Sequence, residues 1–200
     1  MKYTKIPENV FKELQLNAGV LLTDFDTTDG MTEQELLGVM IGATSGGVNF
    51  TATPTYEDYG ADIDNAPVNV KELKKLTGWD VKMSGSFITV STSSAALMAG
   101  AADVDKADTT KITPRNDVAD TDFNDIWWVG DYSDKNGATN GGFVAIHMLN
   151  SLSTGGFQIQ STNKGKGQFA FEFTGHYSMV DQNKVPYEVF VKAGTAEAGA

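Results

Sequence analysis

Only two histidines occur in the 200 residues, His147 inside an apolar run and His176 among alternating polar positions. Neither stands in a pattern with a nucleophile and an orienting acid, so both read as structural. Asp120, Asp122 and Asn124 hold the first, third and fifth places of a calcium loop, where oxygen ligands alternate around a tight turn. The pattern then breaks, because Asp125 stands where the turn requires glycine and Asp131 where a bidentate Glu is needed. Asp103, Asp105 and Asp108 break it in the same way and read as a solvated loop. The glycines at 42–47 are followed by no lysine, which excludes a phosphate-binding loop and leaves a turn between helix and strand. With no cysteine there is no thiolate nucleophile, no disulfide framework and no zinc site of the common kind. Trp79, Trp127 and Trp128 could stack on sugars if exposed on a sheet, against the competing reading of core or interface packing. The expectation is a protein that is not an enzyme and holds no cofactor or metal.

The elements that position these residues read as strands joined by glycine-rich turns: 21 Gly and 11 Phe stand against 5 Pro. Residues 48–57 alternate strictly, with Val48, Phe50, Ala52, Pro54 and Tyr56 on one face and Asn49, Thr51, Thr53, Thr55 and Glu57 on the other. Pro54 cannot donate to a ladder, which confines this strand to a sheet edge or a bulge. A free edge of this length is an aggregation hazard unless something pairs with it, and self-assembly resolves that economically. After it come Glu57, Asp58, Asp62 and Asp64 without a base, then Pro67. A second run at 79–90 keeps Val81, Met83 and Phe87 in one phase and Ile88 and Val90 in the other, so a bulge or burial on both faces is expected near Phe87, with a bend at Gly85.

Elsewhere, a short helix is expected at 7–14, a strand at 18–25, and a short helix or helical turn after the capping box that starts at Thr32. Residues 71–76 read as loop. The clearest helix is 93–102, with Ser93 at its N-cap, followed by a mixed acidic loop. Residues 126–129 and 143–149 read as strands with a turn at 136–142 between them. Residues 168–179 alternate again and residues 185–191 alternate back, which predicts a hairpin. In a strand Trp127 and Trp128 point to opposite faces, so one of them needs a second surface such as another subunit.

The net charge of −11 argues against a surface that grips nucleic acid, because phosphate binding needs clustered Lys and Arg. Residues 1–7 are not followed by the apolar stretch of a secretory leader, and no run approaches membrane-spanning length. The chain is expected to be made in the cytosol without inserting into a membrane.

Gly42-Ala43-Thr44-Ser45-Gly46-Gly47-Val48-Asn49-Phe50, running into Thr55-Tyr56-Glu57-Asp58-Tyr59-Gly60, forms the first of a set of family-like segments. The second is Gly78-Trp79-Asp80-Val81-Lys82-Met83-Ser84-Gly85-Ser86-Phe87, and the third is Phe173-Thr174-Gly175-His176-Tyr177-Ser178-Met179 followed by Val185-Pro186-Tyr187-Glu188-Val189. Together, over 18–192, they resemble the tail tube (major tail) proteins of long non-contractile-tailed phages and prophages.

The resemblance implies one tail tube domain over 1–200, with an N-terminal arm or short helix at 1–17 and a flexible tail at 193–200. The implied fold is mainly β, a sandwich or half-barrel of antiparallel strands with one packed α-helix. Six copies would close into a ring whose inner strands form a continuous barrel, and rings would stack into the virion tail after assembly in the host cytoplasm. Six copies at −11 each carry −66, compatible with a channel through which DNA slides without adhering. Implied partners are further copies of the chain, a tape-measure protein, tail terminator and distal tail proteins, and DNA as passing cargo. The residues expected to line the channel are Thr51, Thr53, Thr55, Glu57, Lys82, Ser84, Ser86, Glu172 and Thr174. Contacts between subunits or rings are expected from Glu57, Asp58, Tyr59, Asp62, Asp64 and Pro67, and interface aromatics from Trp127 and Trp128. Some members of the family append an immunoglobulin-like domain at the C-terminus, and none is expected here. The alternative is a carbohydrate-binding or adhesin β-sandwich that uses an exposed Trp127 or Trp128.

Overall fold

Period-two alternation becomes strand along most of the chain. The computed structural model describes residues 6–7, 10–28, 31–132 and 141–195. In chain order these form β1 (Gln15–Leu22), α1 (Glu33–Val39), β2 (Met40–Gly42), β3 (Thr44–Asp58), β4 (Lys74–Phe87), α2 (Thr92–Ala99), β5 (Ala102–Val104), β6 (Ile112–Pro114), β7 (Asn124–Tyr132), β8 (Gly142–Ser153), β9 (Phe169–Gly175) and β10 (Tyr187–Lys192). One antiparallel sheet runs in the order β2-β1-β7-β8-β9-β4-β3, with β10 also paired to β8, and β5 and β6 form a separate ribbon.

The sheet curls until its two ends share a core. Leu21 of β1, Val81 and Met83 of β4, Ile126 of β7, Met148 of β8 and Phe171 and Phe173 of β9 bury together, with Val48 and Phe50 of β3 packed against them. Met98 of α2 is fully buried in the same cluster. The chain is therefore mainly β, a curled sandwich with one helix, α2, packed into it; α1 buries no residue completely. Fully burying side chains such as Phe87 and Phe173 contributes about 1.5–3 kcal/mol each. On the opposite face of β1, β7 and β8 a second cluster joins Leu22, Phe25, Trp127 and Ala145, with Met31, Leu36 and Val39 packed over it. Adjacent residues such as Leu21 and Leu22 thus serve different clusters, as strand alternation requires.

Several expectations need correction. The clearest helix starts two residues earlier than its small-residue run indicates, because Ser91 and Ser94 cap each other: the Ser94 N–H donates to Ser91 Oγ at 3.1 Å and the Ser91 N–H to Ser94 Oγ at 2.8 Å. It ends at Ala99, and Ala102 already belongs to β5, so the acidic stretch after it contains a short ribbon. Residues 71–76 are not loop: one 3₁₀ turn at Lys71–Leu73 leads directly into β4. The bulge near Phe87 exists but lies in the partner strand, where residues 45–47 stand opposite Ser86 alone, between the pairs Thr44–Phe87 and Val48–Gly85. Gly46 and Gly47 take φ of +82° and +83° there, a region that disfavours side chains. Gly85 makes room rather than a bend, since a Cβ at that position would lie 2.8 Å from the Phe171 ring.

The expected hairpin of 168–179 with 185–191 does not form. β9 pairs with Ser151, Leu152 and Ser153 at the end of β8, and β10 pairs with residues 143–148 of the same strand. β9 and β10 therefore run along one side of β8 as a single interrupted strand, with residues 176–186 as an excursion between them. Of the helix expected at 7–14, residues 8–9 lie outside the described residues and the described part holds a 3₁₀ turn at Val10–Lys12. The turn at 136–142 lies outside the described residues up to 140, and of the tail at 193–200 only 193–195 are described.

Candidate functional site

The register of β3, β4 and β9 brings all nine residues expected to line a channel onto one face. Thr51 stands opposite Lys82, and Lys82 opposite Thr174; Ser84 stands opposite Asn49 on one side and Glu172 on the other. Thr53 and Thr55 continue the row along β3 opposite Asp80 and Gly78, and Glu57 faces Lys75. Ser86 pairs with Ala170 at the other end. The reverse face of the same strands carries Phe50, Ala52, Val81, Met83, Phe171 and Phe173, which belong to the core. Thr154 extends the polar face beyond β8, its hydroxyl 2.8 Å from that of Thr174 and 3.3 Å from Glu172 Oε1. Thr154 was missed because nothing in its own loop alternates; only the return of β8 beside β9 brings it there.

Charge on this face is nearly balanced. Glu57, Asp80 and Glu172 stand against Lys75 and Lys82, and Lys82 and Asp80 approach to 3.4 Å at an exposed position. Most of the excess negative charge of the chain therefore lies elsewhere. A cavity of about 590 Å³ opens on the same face at the bulge, lined by Gly46, Gly47, Ser84, Ser86, Gln158 and Glu172. It holds one carboxylate, that of Glu172.

The β3–β4 hairpin continues past the core as an arm. Tyr56 and Leu76 stand opposite each other on its core-side face, 55% and 43% exposed. Pro54 lies on the edge strand, where a residue without an N–H is tolerated. The loop that closes the arm is built on Asp58, whose carboxylate accepts from the Gly60 and Asn69 N–H groups, each at 2.9 Å. Those two bonds, Asn69 first, hold its pKa below the ordinary aspartate range. The Tyr59 N–H donates to the Leu73 carbonyl, and further turns bond Ile63 to Gly60 and Ala66 to Ile63. Of the six loop residues expected to make contacts, Asp58 faces inward as a brace, while Glu57, Tyr59, Asp62, Asp64 and Pro67 are exposed.

Both tryptophans of the pair find partners inside the chain. Trp127 is buried in the second cluster, stacked on His147 with ring centroids 3.9 Å apart. Trp128 lies against the main core, and its Nε1 donates to the Ala18 carbonyl at 3.0 Å. The surface over Trp127 comes from Phe25 and Phe190 of the same chain. His147 lies between two carboxylates, with Nε2 3.0 Å from Asp125 and Nδ1 3.6 Å from Glu188. His176 Nδ1 lies 3.2 Å from the Asn150 carbonyl. No hydroxyl or thiol nucleophile is bonded to either ring among the described residues.

The broken calcium pattern is dispersed. Asp122 turns inward to Arg115 and the Ala119 N–H, and Asp125 accepts from the Asn150 N–H. Among the described residues no group of three or more His, Asp or Glu could hold a metal ion, and no helix is long and apolar enough to cross a membrane. No family model matches this sequence, and no curated protein matches it.

Proposed function

We propose that this chain is a structural tail tube protein of a long non-contractile-tailed phage or prophage. Its copies close into hexameric rings that stack into a conduit for DNA. The observation that carries the reading is the β3–β4–β9 sheet, polar and rich in small hydroxyl residues on one face and core-forming on the other, with a proline-bearing open edge and a projecting arm. Such an edge invites a neighbouring copy, and ring closure leaves no free edge. The row from Thr51 to Glu57 with Lys82, Ser84, Ser86, Glu172 and Thr174 becomes the channel wall. Its near-balanced charge offers phosphates no cluster of Lys and Arg to hold them.

The function is mechanical rather than enzymatic. The tape-measure protein, the terminator and distal proteins, and the passing genome are the partners this role requires, and the virion tail is its place. The sugar-binding alternative draws less support, because Trp127 is buried and Trp128 is packed against Gly19 and Gly130. The purified protein, concentrated and imaged in negative stain, should show rings or tubes. Monodisperse monomers across concentration and salt would contradict the proposal.

A further inference from the structure

The β3–β4–β9 sheet ends in two unlike surfaces. β4 runs from Lys74 beside the arm loop to Phe87, and β9 starts opposite Phe87, so the 154–168 segment that precedes β9 lies at the far end from the arm. Fourteen residues of strand separate the two ends, roughly 45 Å at 3.3 Å per residue, too far for them to meet within one chain.

At the arm end, residues 59–70 carry Asp62 and Asp64 and no base. Of the neighbouring lysines, Lys71 pairs with Glu72 and Lys74 bonds Asn69 and lies over Tyr56, while Lys75 stands opposite Glu57 in the register. Tyr59, Ile63 and Val68 are apolar and 53%, 51% and 77% exposed around the two aspartates. At the other end, residues 154–168 carry Lys164 and Lys166 and no acid. Phe157 and Ile159 are exposed beside them. This loop is also shaped: Gln160 and Gln168 exchange backbone bonds of 2.8 and 2.9 Å, and the Gly165 N–H closes a turn on the Thr162 carbonyl. Among the described residues none of Asp62, Asp64, Lys164 or Lys166 forms an ion pair.

We propose that these two ends are the halves of one contact: the arm loop of one copy docks on the 154–168 loop of the next copy, apolar against apolar and Asp62 and Asp64 against Lys164 and Lys166. The occupant is a second copy because a single rigid sheet presents both complements at opposite ends. Unlike surfaces joined head to tail either close into a ring or run on as an open stack; because these two lie at opposite ends of the strands, the contact joins copies end to end along the strand direction. Charge complementarity sets the register while the apolar residues supply burial. The inference rests on the self-assembly reading and adds the surface that receives the arm.

Charge exchange tests it. Lys164→Glu/Lys166→Glu and Asp62→Lys/Asp64→Lys, each first shown to keep the wild-type circular dichroism and melting curve, should each raise the critical concentration for assembly about tenfold or more. Combining all four changes in one chain should restore it. Added salt should raise the wild-type critical concentration. Folded double variants that assemble at the wild-type concentration would overturn the contact, as would a folded quadruple variant that stays unassembled. A wild-type protein that never assembles would instead overturn the self-assembly reading beneath it.

Discussion

A methyl group at position 130 has nowhere to go: a Cβ there would lie 2.7 Å from the Trp128 ring, and one at Gly19, where φ is +70°, would lie 2.6 Å from it. The indole of Trp128 rests on these two glycines. Gly130→Ala should therefore cost about 1–3 kcal/mol, read as a lower urea midpoint with a shifted tryptophan emission. Asp58 is the other single residue on which much depends. Its folded-state pKa is lowered by the Asn69 and Gly60 N–H bonds, so its contribution to loop order is complete above the ordinary aspartate pKa and is lost as pH falls through the lowered value. Amide chemical shifts of Gly60 and Asn69 should titrate together at that acidic pH, below the ordinary aspartate range; Asp58→Asn should abolish the coupled step. Part of this was legible in the sequence. The spacing of Trp127 and Trp128 placed them on opposite faces, but the cover over Trp127 comes from Phe25 and Phe190, far away in the chain, and no local pattern announces it.

Among the elements, alternation located the strands and Pro54 marked an edge, and the Thr32 capping box was formed as expected, with Glu35 accepting from the Thr32 N–H at 2.8 Å. Pairing was less legible. The period of 185–191 is the same whether it returns along β9 or lies beside β8, and only the tertiary course of residues 176–186 decides between them. The bulge at 45–47 lies on the partner strand, where Gly46 and Gly47 take positive φ, while Gly85, the glycine near Phe87, stays in the regular ladder against the Phe171 ring. The topology predicts that Val144→Cys/Val191→Cys, a cross-strand pair of β8 and β10 in a chain with no native cysteine, forms an intrachain disulfide on mild oxidation. Mass spectrometry of a tryptic digest reads the result directly, and a reduced pair that never closes would favour the hairpin instead.

At the scale of the whole molecule, charge is segregated rather than uniform. The polar wall is nearly balanced, while Asp62 and Asp64 stand on the arm and Lys164 and Lys166 at the opposite end of the sheet. This refines the expectation of an anionic channel: a net charge of −11 per chain describes the subunit and not the face that DNA would meet. The register of three strands, and no residue motif, brings this wall together. The central claim is that this wall lines the bore of a self-assembled tube. An electron-microscope reconstruction of the purified, assembled protein tests it most directly. The account predicts a hollow tube of stacked rings with Thr51, Thr53, Lys82 and Glu172 facing the axis; a tube with that face turned outward, or a protein that stays monomeric at every concentration and salt, would contradict it.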